Sequence, residues 1–120
     1  MNREYVENWL SKLKDYWFNK DIVSATSLFV DATFYQETPF MKPYTNFEEI
    51  VEEWQHIQKE DIKKIEFNIL AIDGYTVIVQ WYLEQNNDIF DGIYEIRFNN
   101  SLNCVYFKSW EMKKENETNK

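Results

Sequence analysis

The chain of 120 residues has the length of one domain, with room for a core but not for a second regulatory unit. It carries 13 basic and 21 acidic side chains, a formal net charge of −8. With no basic cluster, neither nucleic acid nor an anionic membrane surface is expected as a partner. The N-terminal segment lacks the pattern of a signal peptide and no stretch reaches transmembrane length, so a soluble, cytoplasmic protein is expected.

Three segments in the first half of the chain carry apolar residues at helical spacing. The first predicts a helix over about residues 3–18, and the second predicts a shorter helix that opens near Asp21, a residue that can cap it. The third predicts a helix that begins at Asn46, because Glu49 follows three residues later as in a capping box. Residues 33–36 predict a short strand, because they are β-branched, aromatic or polar and show no helical period.

Beyond about residue 60 the sequence alternates between apolar and polar side chains, which predicts four strands. An Asp-Gly pair at residues 73–74 marks a tight hairpin turn, and asparagine-rich turns follow at residues 86–88 and 99–100. The element order ααβαββββ predicts an α+β fold. A single domain over residues 1–112 is expected, followed by a polar, disordered tail over residues 113–120.

Several strands carry bulky apolar side chains on both faces. Ile78 and Tyr82 alternate with Trp81, and Ile93 precedes Tyr94. One face of the sheet can cover the helices, while the other would leave an exposed apolar patch. A homodimer formed through this outer face is therefore expected. The alternative is a monomer with scattered surface aromatic residues, which are common.

Three segments, LFVDATFYQETPF, NFEEIVEEW and VYFKSWEM, together with the element order, resemble the nuclear transport factor 2-like superfamily. The closest resemblance is to its SnoaL-like branch, which contains polyketide cyclases, ketosteroid isomerase and many uncharacterised small proteins. The resemblance implies a cone, in which a strongly curved, mostly antiparallel sheet wraps around three helices from the N-terminal half. It also implies a pocket at the wide end, and members are commonly homodimers.

The resemblance to ketosteroid isomerase allows its catalytic base to be compared with this sequence. In that enzyme the base is an aspartate just before a proline, and the matching residue here is Thr38. A shift of the alignment by one or two residues would place Glu37 or Gln36 there instead. The resemblance to polyketide cyclases implies an acidic residue in the pocket, for which Glu37 and Asp91 are the candidates. Asp91 has the opposite strand parity to Tyr94, so it is expected to face outward.

The other catalytic positions of the isomerase differ as well. The tyrosine and the protonated aspartic acid of its oxyanion hole match Leu13 and Tyr94 here. A tyrosine on its third helix matches Trp54, and a pocket tryptophan on its last strand matches Trp110. The resemblance therefore implies a retained cavity without the acid–base set of the isomerase.

Aromatic residues make up 18% of the chain, which is more than a small core needs, so some of them are expected to line a cavity. Six come from separate elements that would converge in a cone, and they favour a flat apolar or ring-containing ligand over plain core packing. The six are Trp17, Tyr35, Trp54, Trp81, Tyr94 and Trp110. Tyr35 and Tyr94 would supply hydroxyl groups to the ligand.

Glu37 is the candidate for the only charge in the pocket and for a catalytic base, with Tyr94 as the donor to a developing oxyanion. Burial among tryptophans would raise the pKa of Glu37. The alternative is a solvated carboxylate at the rim. His56 is expected at the surface and Cys104 as a packed structural thiol, and neither has partners at metal-ligand spacing. No cofactor or metal is expected.

Three functions are consistent with this sequence. The leading hypothesis is a small-molecule-binding protein with an aromatic pocket. The second is an enzyme that abstracts a proton next to a carbonyl with Glu37 as its base. The third is a protein-interaction module in which side chains fill the cavity.

Overall fold

The structure is a computed structural model, and it describes residues 1–115 of the chain. The helices are α1 (Arg3–Phe18), α2 (Ile22–Ser27) and α3 (Phe47–Trp54), and a 3₁₀ turn (Gln55–Lys59) follows α3. The strands are β1 (Phe34–Gln36), β2 (Ile62–Asp73), β3 (Thr76–Gln85), β4 (Asp88–Phe98) and β5 (Cys104–Lys113). This order confirms the predicted α+β arrangement of helices and strands.

Each helix begins at a polar side chain that accepts hydrogen bonds from free backbone N–H groups. Asn2 caps α1 and Asp21 caps α2. At the start of α3, Oδ1 of Asn46 accepts a hydrogen bond from the N–H of Glu49 at 2.9 Å. The Glu49 carboxylate accepts in turn from the N–H of Thr45 at 3.2 Å, so the predicted capping box closes one residue earlier than usual.

The five strands form one sheet in the order β1-β5-β4-β3-β2. β1 pairs with β5 in parallel, and the other neighbours pair antiparallel, as the resemblance implied. Shifts of register interrupt β2 twice and the β4–β5 pair once. Such bulges bend strands and increase their twist, which allows the sheet to wrap around the helices. In this order β1 and β5, the first and last strands of the chain, lie side by side.

The core lies between the helices and the inner face of the sheet. On β3, Val77, Val79, Trp81 and Leu83 are buried in strict alternation with half-buried neighbours. Phe29, just after α2, is fully buried at the centre of the aromatic packing. Its ring lies 5.1 to 6.1 Å from four other aromatic rings, those of Trp9, Tyr35, Trp54 and Phe107. Edge-to-face pairs of this kind stabilise the core beyond the effect of area burial.

Gly92 on β4 makes room for the indole ring of its partner across the sheet, Trp81. A Cβ atom at Gly92 would lie 2.2 Å from the carbonyl oxygen of Trp110 and 2.7 Å from atoms of the Trp81 ring. Without that atom, the Trp81 ring can lie across β4 and stack on Tyr94, with ring centroids 5.3 Å apart. A glycine therefore fixes the position of one aromatic side chain on the inner face.

The C-terminal boundary of the folded domain was expected at residue 112. Strand β5 continues one residue further, to Lys113. Residues 116–120, the last part of the expected disordered tail, lie outside the described residues. Among the described helices, none has the length and apolar character needed to cross a membrane.

We expect Gly92→Ala to lower the free energy of unfolding by about 3 kcal/mol or more, because the new methyl group would clash with backbone that cannot move aside. Gly74→Ala is the matched control, since a Cβ there meets no atom within 4 Å. It should cost only about 1 kcal/mol for the positive φ of the turn. Urea denaturation of both variants measures the difference, and equal losses would contradict the proposed role of Gly92.

Candidate functional site

A cavity of about 150 Å³ lies between the helices and the inner face of the sheet. Its walls come from α1, β1, α3 with the following 3₁₀ turn, and β3 to β5. Five of the six predicted aromatic side chains line it, together with Glu37: Trp17, Tyr35, Trp54, Trp81 and Tyr94. The exposed side chain of His56 also borders the cavity and marks its opening.

The sixth aromatic residue, Trp110, does not line the cavity, and its prediction was wrong. Strand alternation places Ser109 and Glu111 on the inner face, so Trp110 between them points outward and is 38% exposed. It pairs across the sheet with Ile93, and the ammonium group of Lys108 lies 4.7 Å from the centre of its ring. The predicted position came from the alignment with the isomerase, which did not fix the parity of β5.

Glu37 follows β1 and reaches the cavity beside Tyr35, two residues earlier on the same face of the chain. The hydroxyl of Tyr35 donates a hydrogen bond to Oε2 of Glu37 at 2.8 Å. Tyr35 is itself held by two backbone hydrogen bonds to Tyr44, each 2.9 Å long, and by stacking of its ring on Phe107. The segment around Tyr44 thus pairs with β1 and holds Tyr35, and the Tyr35 hydroxyl in turn positions the Glu37 carboxylate at the cavity wall.

The environment of Glu37 raises its pKa from 4.5 to about 7. Burial is the largest cause, and the negative charge of Glu53 adds to it. The hydrogen bond from Tyr35 lowers the pKa, while the carboxylate of Glu111 raises it. Although part of the Glu37 side chain borders the open cavity, its carboxyl group is surrounded by protein, which disfavours the charged form. Near neutral pH the group is therefore present in both protonation states.

Tyr94 is the second polar group of interest in the cavity. Burial raises its pKa well above the usual value of 10, and the charges of Glu37 and Glu111 raise it further. The hydroxyl is therefore protonated at neutral pH and available as a donor. Tyr94 is only 5% exposed, and within residues 1–115 its hydroxyl makes no hydrogen bond, although its oxygen is not fully enclosed by protein. The hydroxyl is therefore open to the cavity and free to pair with a molecule bound there.

The three alternatives for the base position separate clearly in space. Glu37 lines the cavity, whereas Thr38 does not. Gln36 is buried elsewhere, and its side-chain amide donates to the carbonyl oxygen of Met41 at 2.5 Å, which holds the following loop. Leu13, which the resemblance matched to a tyrosine of the isomerase, also lines the cavity. Of the three alternatives for the base position, the side chain of Glu37 is the one that reaches the cavity.

Glu53 on α3 forms a second polar cluster at the cavity. Its Oε1 accepts a hydrogen bond from the hydroxyl of Tyr44 at 2.6 Å, and Nε2 of His56 lies 3.3 Å from Oε2. The hydrogen bond from Tyr44 to Glu53, together with burial, raises the pKa of the Tyr44 hydroxyl to about 12. The prediction missed Glu53 because it stands beside exposed glutamates on α3, and only the position of the helix shows that it turns toward the cavity.

Three inward-facing residues of β5 were also missed: Phe107, Ser109 and Glu111. Ser109 accepts a hydrogen bond from the indole N–H of Trp81 at 3.0 Å, which orients that ring. Burial raises the pKa of Glu111, and the nearby Lys113 lowers it. Their spacing at every second position groups them on one face of β5, but Tyr106, Trp110 and Met112 make the other face equally bulky, so the sequence did not show which face points inward.

The indole N–H groups of Trp17 and Trp54 are buried and have no hydrogen-bond partner among the described residues. The Trp54 N–H lies close enough to the hydroxyl of Tyr35 to lower its pKa, but not in the geometry of a hydrogen bond. Their rings meet edge to face, with centroids 5.8 Å apart. Both side chains therefore contribute mainly ring surface to the cavity.

The remaining candidates lie away from the cavity. Asp91 is exposed on the outer face, where it accepts a hydrogen bond from Gln80 at 2.8 Å. Cys104 is buried, which raises the pKa of its thiol to about 12 and makes it unreactive. Within residues 1–115, no three acidic, histidine or cysteine side chains lie close enough together to hold a metal ion.

Comparison with solved structures identifies the fold. A nuclear transport factor 2-like protein of unknown function from Burkholderia xenovorans superposes with a TM-score of 0.77, over 98% of this chain and 91% of that one. The chain has the nuclear transport factor 2-like fold. The two sequences are 12% identical, and the superposition confirms the cone that the resemblance implied.

Two further structures share the fold. A steroid delta-isomerase from Pseudomonas aeruginosa has a TM-score of 0.67 and 16% identity, over 90% of this chain and 80% of that one. A protein from Shewanella denitrificans, described as a SnoaL-like polyketide cyclase, has a TM-score of 0.68 and 9% identity, over 92% of both chains. Such low identities show a common fold and carry no activity from one protein to another. No protein-family model and no curated protein matches the sequence.

Glu37→Gln should change the pH dependence of stability. Because folding raises the pKa of Glu37 from 4.5 to about 7, its stabilising effect is complete below pH 4.5 and is lost as the pH rises through 7. Gln cannot ionise, so we expect the variant to match wild type at about pH 4 and to exceed it by roughly 3 kcal/mol at about pH 8.

Urea denaturation at both pH values measures this difference. Glu52→Gln is the control, because it makes the same replacement at an exposed glutamate outside the cavity. A Glu37→Gln variant that tracks wild type at both pH values would show that the carboxyl group is solvated.

Proposed function

We propose that the protein binds a small, ring-containing ligand in the cavity described above. The observation that carries the proposal is the hydroxyl of Tyr94, which lies on the wall of an aromatic cavity and makes no hydrogen bond within residues 1–115. A polar atom of a ligand, donor or acceptor, would pair with this hydroxyl, and the rings of Trp81 and Trp54 would cover the faces of the ligand. An open cavity also counts against the third hypothesis, an interaction module whose interior is filled.

The size of the cavity limits the ligand. A volume of about 150 Å³ suits a molecule of one aromatic ring, comparable to the engineered cavities that bind benzene. Pockets for drug-sized molecules measure about 300–1,000 Å³. We therefore propose a ligand much smaller than a steroid, although a steroid isomerase shares the fold.

A second candidate function is proton abstraction next to a carbonyl, as expected for an enzyme of the isomerase or cyclase type. It is favoured by the position of Glu37, which borders the same cavity as Tyr94 and whose pKa of about 7 suits a base at neutral pH. In this mechanism Glu37 takes the proton from carbon, and the electrons of the broken bond move onto the carbonyl oxygen. Tyr94, still protonated, would donate a hydrogen bond to that oxygen.

Titration with phenol, followed by the NMR signals of Trp81 and Tyr94, tests the binding site. Tyr94→Phe should weaken binding about fivefold, because one net hydrogen bond is lost. Tyr106→Phe is the control, since that ring lies on the outer face under the guanidinium of Arg97. If phenol moves only signals outside the cavity, or if both variants bind alike, the proposed site is wrong.

Deuterium exchange at the carbon atoms next to the carbonyl of cyclohexanone tests the second function. Wild type should accelerate exchange, and Glu37→Gln should lose roughly a hundredfold or more of this acceleration while binding stays nearly the same. Glu52→Gln should behave as wild type. A wild-type protein that binds the ketone without accelerating exchange would exclude the base function and leave the binding function intact.

We further propose that the protein forms a homodimer through the outer face of the sheet. This face carries Trp110, which is 38% exposed, and Met112, which is 74% exposed. Trp110→Glu should convert the dimer into a monomer by placing a charge in the apolar contact, as measured by sedimentation equilibrium. Phe40→Glu is the control, because Phe40 is fully exposed on a loop away from the sheet. A monomeric wild type would refute the proposal.

A further inference from the structure

The cavity combines aromatic walls with an excess of negative charge. Four glutamates line it and no Lys or Arg residue does so: Glu37, Glu53, Glu60 and Glu111. The single residue on the lining that can become positive is His56, which is largely exposed at the opening and lies 3.3 Å from Glu53. Carboxylates near a low-dielectric interior are costly unless a positive group or several donors compensate them.

The protein compensates these carboxylates only in part. Tyr35 supplies one neutral donor to Glu37, and the amide of Asn86 supplies one to Glu60. Within residues 1–115, Glu111 has neither a hydrogen bond nor an ion pair. The nearest basic residue of its strand, Lys113, forms an ion pair with Asp88 at 3.4 Å instead.

The interior charges act on one another through the cavity. Glu37, Glu53 and Glu111 line one cavity, and the negative charges of Glu53 and Glu111 raise the pKa of Glu37. These three carboxylates come from the residue just after β1, from α3 and from β5, so three separate parts of the chain face each other there. A positive charge bound between the three carboxylates would offset the electrostatic repulsion among them.

The ring faces in the same cavity favour the same kind of ligand. Three tryptophans and two tyrosines line the cavity: Trp17, Trp54, Trp81, Tyr35 and Tyr94. The face of an aromatic ring is negative, and Trp is the strongest partner for a cation within about 6 Å. The unpartnered hydroxyl oxygen of Tyr94 can also accept a hydrogen bond from an ammonium group.

We propose that the ligand of this cavity is an organic cation, with a protonated nitrogen attached to a single ring and held between the aromatic faces and the carboxylates of Glu37, Glu53 and Glu111. This inference rests on the ligand-binding function proposed above. A metal ion fits less well, because no three of the possible ligand side chains within residues 1–115 lie close enough together to coordinate one. Carboxylates spread around a ring-sized cavity suit the larger radius of an ammonium group.

Binding of three ring-sized probes with different charge tests the inference: benzylammonium, benzyl alcohol and benzoate. Calorimetry at about pH 7 should show benzylammonium at least tenfold tighter than benzyl alcohol, which corresponds to about 1.4 kcal/mol. Benzoate should not bind. Because a cation beside Glu37 favours its charged form, benzylammonium should also release protons, detected as a dependence of the heat on the buffer.

Glu111→Gln removes from the cavity wall a carboxylate that makes no hydrogen bond or ion pair within residues 1–115, so the fold should be kept. We expect the preference for benzylammonium over benzyl alcohol to fall about fivefold, the upper end of what one partly exposed charge pair contributes. Glu52→Gln, with its exposed carboxylate, should retain the preference. A Glu111→Gln variant with the full preference would overturn the assigned role of the carboxylates.

The outcomes separate the two proposals. If benzyl alcohol binds in the cavity as tightly as benzylammonium, the cationic ligand is wrong while the ligand-binding function stands. If benzylammonium shifts only NMR signals outside the cavity, such as that of Trp110, the interaction is surface ion pairing and the inference is overturned. If none of the three probes binds, both the inference and the proposed function are wrong.

Discussion

The hydrogen bond from Tyr35 to Glu37 holds a carboxylate at the wall of an aromatic cavity, and much of the fold supports this one contact. Tyr35 can donate to Glu37 because its backbone is paired on one side with β5 and on the other with Tyr44. Its ring is fixed by Phe29 and Phe107, two of the most deeply buried aromatic residues. A group that strongly prefers water is thus kept in the interior by the packing of the rings around it.

The cavity draws its polar and apolar surface from different parts of the fold. Polar groups on the sheet side are Glu37 just after β1, Tyr94 on β4 and Ser109 on β5. The helices supply mainly ring and aliphatic surface, including Leu13 on α1, with Glu53 as their charged exception. Carboxylates therefore reach the interior from both the sheet and the helices.

The fold could be predicted from the sequence because the patterns that indicate helices, caps and turns involve only neighbouring residues. Helical spacing, the caps at Asp21 and Asn46, and the Asp-Gly turn each depend on a few neighbouring residues, and the structure has all of them. The site depends on contacts between distant residues, and the sequence left open which face of each strand points inward. On β5, bulky side chains occur on both faces and a register shift lies near the start of the strand, so alternation could not show that Trp110 faces outward. Glu53 and Glu111 gained their role only from the tertiary arrangement.

The parallel pairing of β1 with β5 has a consequence for the dynamics of the site. β1 contributes only three residues to the sheet, and its other side has a single isolated bridge, so this edge is held by far fewer backbone hydrogen bonds than β2 to β4. Short, weakly anchored edges open by local unfolding at a lower free energy than the remainder of a domain. Tyr35 lies on this edge and Tyr94 lies on a central strand. A molecule in contact with both would therefore raise the free energy needed to open β1 locally. Occupancy would then be visible as slower amide hydrogen exchange at β1, without any change in the average structure.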